Sequence, residues 1–366
     1  MDGLNSPVTV RRTGEDAWFA ASNSAQGFYS WYGESFDREE ITRLYAVKGG
    51  PGTGKSRLMR EVAERGVRAG WQAGMVYCSS DPDSLDGVIL TREGEGIAVL
   101  DATAPHVYEP TRPGYREELL NLGAFWDASV LRGARGELER LNRQKQEAYR
   151  RVYRCLAGYG AMEQSRAELT APFLREAAIA GFAARLMREV PAGRGFRPAT
   201  ALMRAVGMRG QVLLDTYFAQ ASRIVLVEDC HGSAWSLMQA LLRCAETRRL
   251  RVRVSRDPVL PGRIDGLLLC GSGLCFAVCP PQQCAYPHRR VTLRRFVRTG
   301  EMRPVRRETA AAGRLGRGLL REALAGMERV RQCHFEIERI YASAMDFAAK
   351  EAFTADLCDR LFGRNA

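Results

Sequence analysis

The run Gly49-Gly50-Pro51-Gly52-Thr53-Gly54-Lys55-Ser56 matches the pattern G-x-x-x-x-G-K-[ST]. Glycines in such a loop let successive backbone N–H groups turn inward around an anion. A helix that follows adds the positive end of its dipole. Lys55 can reach the β- and γ-phosphates of a nucleoside triphosphate, and the Ser56 hydroxyl can ligate Mg²⁺. The expected cofactor contacts are therefore Gly49, Gly50, Pro51, Gly52, Thr53, Gly54, Lys55 and Ser56, with Arg57 beside them. The flanks suit that chemistry: Leu44 to Lys48 reads as a short buried strand, and Arg57 to Ala63 has helical spacing. A glycine-rich turn without ligand is the plain alternative, and the full consensus in its strand–loop–helix setting outweighs it.

A phosphate loop also needs a Mg²⁺-side carboxylate at the end of a neighbouring apolar strand. Ile97-Ala98-Val99-Leu100-Asp101 ends in one, and Ile224-Val225-Leu226-Val227-Glu228-Asp229 ends in two. An internal repeat decides between them. With Val47 set against Val227 and no gap, Gly52 faces Gly232, Ser56 faces Ser236 and Leu58 faces Met238. Further on, Ser79-Ser80-Asp81-Pro82 matches Ser255-Arg256-Asp257-Pro258, and Leu85 to Leu90 matches Ile264 to Leu269. The same order at offsets near 180 marks a duplicated unit. Glu228 and Asp229 then fall opposite Lys48 and Gly49, on a second phosphate-loop strand where Trp235 replaces Lys55 and Ala234 replaces Gly54. Loss of the ammonium and gain of carboxylates should abolish triphosphate binding there. Asp101 becomes the expected Mg²⁺-side carboxylate, and Lys55 and Asp101 the expected catalytic pair.

Asp81, Asp83 and Asp86 follow a strand, Gly74 to Cys78, and could orient water or substrate; alternatively they build turns. The recurrence of Asp81 and Asp86 in the degenerate copy favours turns for those two, while Asp83 has no counterpart. His106 reads as a structural residue at a strand end. Cys270, Cys275, Cys279 and Cys284 cluster as C-x4-C-x3-C-x4-C, which lacks the C-x2-C knuckles of metal sites; whether they bind a metal is left open by the spacing. Apolar residues from Leu138 to Met162 and from Met327 to Ala344 follow a 3-4 spacing, as amphipathic helices in hairpins do, with His334 a packing residue.

The chain has 366 residues and a formal charge of +12, but 50 of its 54 basic residues are arginine, a bias that suggests coding composition more than a polyanion surface. The segment Arg289–Arg331 holds 13 arginines against four glutamates. Nucleic acid is thus a weakly supported partner through that segment. The most apolar stretch, Leu267 to Cys279, is too short to span a bilayer, which takes about 18 residues. Residues 1–7 show no signal pattern, so the expected location is cytoplasmic and without membrane.

The expected organisation is an α/β chain of two tandem P-loop NTPase-like parallel-sheet units, the second degenerate, each followed by an α-helical hairpin. Its pieces are 1–106 with the intact Walker A loop, 107–195 helical, 196–290 degenerate, and 291–366 a basic linker with C-terminal helices. The stretches Lys48 to Ser56, Cys78 to Val88, Asp101 to His106, Phe19 to Asn23, Asn121 to Asp127 and Tyr341 to Phe347 together resemble a poorly characterised family of tandem P-loop ATP-binding proteins from spore-forming and related Firmicutes. That resemblance implies two P-loop domains with helical appendages and ATP as the nucleotide. In the family the second copy commonly keeps its own loop; Cys230-His231-Gly232-Ser233-Ala234-Trp235-Ser236 departs from it here.

No lysine sits in an N-K-x-D guanine reader, no L-S-G-G-Q signature is present, and Ala102 stands where many motor ATPases place a catalytic glutamate. The first expectation is therefore a slow, Mg²⁺-dependent ATPase acting as a nucleotide-dependent switch on an unidentified protein partner. The alternatives are an ATP-dependent phosphotransferase and a nucleic-acid-associated ATPase.

Overall fold

The computed structural model describes residues 8–12, 15–106 and 108–363. Residues 1–7, read above for a signal pattern, lie outside the described residues. The chain is mixed α/β and forms two compact units. One comprises Gly14–Ala20, Ser30–Arg151 and Ala325–Ala366 and carries the glycine-rich loop; its sister comprises Met1–Thr13, Ala21–Tyr29 and Val152–Leu324. Each unit is thus assembled from separated segments, whereas the sequence pattern suggested four consecutive pieces.

The glycine-loop unit is built on a six-stranded sheet of β1 (Asp16–Phe19), β2 (Ile41–Lys48), β3 (Gln72–Tyr77), β4 (Leu85–Arg92), β5 (Glu95–Asp101) and β6 (Glu117–Asn121), in the order β1-β3-β4-β5-β2-β6. β2 lies next to one edge, with β5 and the edge strand β6 parallel to it on either side. Its Leu44, Ala46 and Val47 are buried, as expected of a strand covered on both faces. Helix α1 (Lys55–Arg68) follows directly and buries Leu58, Met59, Val62 and Ala63, the stripe that its 3-4 spacing predicts.

The sister unit repeats this plan. β7 (Arg197–Thr200), β8 (Arg223–Glu228), β9 (Arg251–Arg256), β10 (Ile264–Leu269), β11 (Leu274–Ala277) and β12 (Arg289–Thr292) run in the order β7-β9-β10-β11-β8-β12. Every strand therefore has a counterpart six places earlier. The senses of the five pairings also agree: β9 and β11 each run antiparallel to β10, as β3 and β5 run to β4, and all remaining pairs are parallel. Helix α2 (Ser233–Thr247) takes the place of α1 and packs Leu237, Met238, Ala240 and Leu241 into a closed apolar core with Val252, Leu267 and Phe276. Each such buried Leu, Met, Val or Phe contributes ~1.5–3 kcal/mol, so the sister unit has a core of its own.

The ladders correct two details of the repeat as read from sequence. Gly87 pairs with Leu100 and Gly266 with Ala277, while Tyr77 pairs with Leu85 and Arg256 with Ile264. Cys78 therefore corresponds to Asp257, and Asp83 does have a counterpart, Gly262, because the two turns are equally long. In the helices, Leu58 and Met59 are buried like Leu237 and Met238, and the positive φ of Gly70 beyond α1 recurs at Arg249 beyond α2. The sister loop is shorter and α2 is one residue longer: the left-handed glycine before each helix, Gly54 and Gly232, sets Ser233 opposite Lys55, while further along the helices Ala234 and Trp235 fall in register with Lys55 and Ser56. The gapless alignment had set Trp235 against Lys55.

Candidate functional site

The loop between β2 and α1 is tight. Gly52 and Gly54 have φ of +72° and +78°, a region where a Cβ is strained. A Cβ on Gly52 would also lie 2.5 Å from the carbonyl oxygen of Glu338, so the backbone is closely approached from outside. Lys55 Nζ folds along the loop and donates to the carbonyl oxygens of Gly49 at 2.9 Å and Gly50 at 2.8 Å. It lies 3.5 Å from Asp101 Oδ2, both side chains being largely buried. Asp101 ends β5 beside Val47, and its other oxygen accepts from the Thr103 N–H at 2.8 Å. Burial raises its pKa, Lys55 opposes that, and Asp86 adds to it. Thr53 and Thr103 hydroxyls brace the carbonyls of Gly50 and Gly49. Ser56 Oγ accepts from the Leu85 N–H at 3.0 Å, and Arg57 points out to an exposed ion pair with Glu351. The fold thus brings Lys55, Ser56 and Asp101 to one loop, while the Arg57 side chain stands apart.

The long helix α3 (Arg306–Ser343) belongs to this unit from Ala325 onward. Its Tyr341 ring and Trp126 both close on Gly50, and the backbone carbonyl of Glu338 presses on Gly52. Burial and Asp81 raise the pKa of Glu338 against the Gly52 amide and the pull of Lys55 and Lys145. One turn earlier, His334 Nε2 lies 3.7 Å from Glu338 Oε1. Burial first, then Lys145, pushes the His334 imidazole down to about 4. Glu338 lies 286 positions beyond Gly52, and no local pattern marks it.

The three aspartates divide. Asp81 accepts from Ser84 Oγ and builds a turn, as expected. Asp86, read as a turn former, is instead buried and lies 3.1 Å from His106 Nε2. His106 is stacked on Tyr32 with ring centroids 4.5 Å apart. Burial opposes protonation of this imidazole, but Asp86 outweighs it and its pKa is raised.

In the sister unit the loop is closed on itself. Asp229 accepts from the N–H groups of Gly232 at 3.0 Å and Ala234 at 2.9 Å, and Glu228 is paired with Arg290. The place of Asp101 is taken by Val278, since Leu100 corresponds to Ala277. A cavity of about 560 Å³ opens beside this loop, lined among others by Trp235, Asp257, Asp265 and Arg204. Cys275, Cys279 and Cys284 lie in an apolar cluster with Leu226 and Leu268, and burial pushes Cys279 up to about 12. Among the described residues no His or carboxylate joins the cluster Cys270–Cys284 into a ligand set. Of the arginines in 289–331, Arg290, Arg298 and Arg331 are committed to glutamates, and Arg295 stacks on Phe182.

No family model, no curated protein and no solved structure matches this chain. No helix among the described residues is long and apolar enough to cross a membrane.

Proposed function

We propose that the glycine-loop unit binds ATP with Mg²⁺, as a slow ATPase whose nucleotide state is read out by the end of α3. The observation that supports it is the cradle itself. Gly52 and Gly54 hold positive φ, and Lys55 lies along the loop carbonyls with Asp101 3.5 Å away. A helix N-terminus and an adjacent ammonium suit a polyphosphate. Lys55 would take the outer phosphates, and Ser56 and Asp101 would hold the metal. Mg²⁺–ATP would supply the electrophilic γ-phosphoryl group. Ala102 offers no carboxylate next to Asp101, which fits low turnover.

The chain's own part is the approach of Glu338 to the loop. Its backbone carbonyl presses on Gly52, and the Gly52 amide, one of the donors that would face the phosphates, lowers the pKa of its carboxylate. An entering polyphosphate would displace that carboxylate and free the end of α3, a hinge-type switch available to a partner. Calorimetry with ATP and GTP on wild type and Lys55→Ala tests this reading. Binding of ATP that Lys55→Ala abolishes, with faster proteolysis of 325–343 on ATP addition, is expected. Wild type that binds neither nucleotide overturns it.

A further inference from the structure

Cys78, Asp86 and His106 come from the end of β3, the start of β4 and the turn after β5. One ligand atom from each lies within 4.8 Å of the others. Asp86 and His106 are 4% and 6% exposed, so a charge on either needs a partner close by. Tyr32 holds the group in place: its ring stacks on His106 and its hydroxyl donates to the Asp86 carbonyl. Ligands fixed in this way by neighbouring packing are a property of built metal sites.

The sister unit shows what this position requires. Asp257 and Asp265 occupy the places of Cys78 and Asp86. There the guanidinium of Arg204 lies between them, 2.7 Å from Asp265 and 3.7 Å from Asp257. A permanent cation therefore belongs to the corresponding site of the second copy. In the glycine-loop unit Asp86 has no Arg or Lys partner among the described residues; a thiol and an imidazole stand beside it instead. Sulfur, nitrogen and carboxylate oxygen together favour zinc over Mg²⁺ or Ca²⁺, which take oxygen donors.

We propose that Cys78, Asp86 and His106 bind a zinc ion through three protein ligands, leaving one coordination position open. The metal does for this copy what Arg204, supplied from a different segment, does for the other: it neutralises acidic groups at the end of one strand and the start of the next. Binding converts the Cys78 thiol to thiolate and releases its proton to solvent.

The test uses the full chain without nucleotide, so it is independent of the ATP reading. After chelator treatment, Zn²⁺ is titrated against a chromogenic chelator, and Co²⁺ is added separately as a spectroscopic probe. One equivalent of Zn²⁺ should bind, with a thiolate-to-cobalt charge-transfer band in the Co²⁺ form. Cys78→Ser should remove that band and weaken Zn²⁺ binding by at least ~10-fold, as should His106→Gln. Cys270→Ser should change neither. Melting of the metal-free Cys78→Ser protein at the wild-type temperature would show that the variant folds. Absence of stoichiometric Zn²⁺ binding, or an unchanged band and affinity in Cys78→Ser, overturns the proposal and leaves a simple Asp86–His106 ion pair.

Discussion

The two glycine-bearing loops start from equivalent strands and end in equivalent helices, yet each meets a carboxylate in a different way. In one, Gly52 is approached by Glu338, a residue on a helix far along the chain. In the other, the N–H groups of Gly232 and Ala234 are held by Asp229, from within the loop. A carboxylate on a separate helix can leave when a stronger anion arrives. One built into the loop cannot leave without refolding it. The sister loop is also shorter, has no ammonium at the start of its helix, and has Val278 where the other has Asp101. The sister loop is thus closed on itself while the sheet and core around it are complete.

The largest effect that would break this comparison concerns Lys55. Lys55→Ala should lower ATP affinity on the order of 100-fold, the loss typical when one partner of a buried charge contact is removed. Trp235→Ala should leave it unchanged. Retained affinity in the first variant with loss in the second, by calorimetry, would exchange the roles of the two loops.

Acid should act first on the helix over the working loop. His334 has an ordinary pKa of 6.5 but is held down to about 4 in the fold, so the unfolded chain takes up the proton first. The contribution is intact above 6.5 and lost as the pH falls towards 4, at most about 3 kcal/mol. His334→Leu should flatten the pH dependence of urea unfolding over that window. An unchanged slope would remove His334 from the account.

Asp229 provides the next test. Asp229→Ala strips two amides of their acceptor and should cost about 1–2 kcal/mol, read as a lower urea midpoint. No change would mean that the sister loop does not depend on its own carboxylate. The smallest effect sharpens the other side: Glu338→Gln, which keeps the size and removes the charge, should raise ATP affinity by a few-fold, about 1 kcal/mol. Weaker binding would make Glu338 part of the nucleotide site rather than a residue that competes with it.

Much of this was legible in the chain. The loop consensus names Lys55 and Ser56, the apolar run before Asp101 nominates that acid, and the recurring Asp-Gly pair reveals the duplication, whereas the Ser-x-Asp-Pro match falls out of register in the ladders. These features depend on residues within a few positions of each other, or on the chain compared with itself. The shorter sister loop escaped because apolar residues recur so closely along α1 and α2 that a slip of one still matches many of them. Only the strand ladders and the positive φ at Gly70 and Arg249 fix the register.

The chain alone specified two copies of one α/β unit, with the G-x-x-x-x-G-K-[ST] consensus in only the first. It did so because loop chemistry and strand pattern are local, and the backbone has few ways to satisfy them. Tertiary structure alone decided that Glu338 closes on Gly52, that Asp86 is buried against His106 rather than left in a turn, and that Arg204 stands between two aspartates. Those contacts join residues remote in sequence, and their partners are chosen by burial, where an unpaired charge costs several kcal/mol, on the order of 3–5 when one member of a pair is removed.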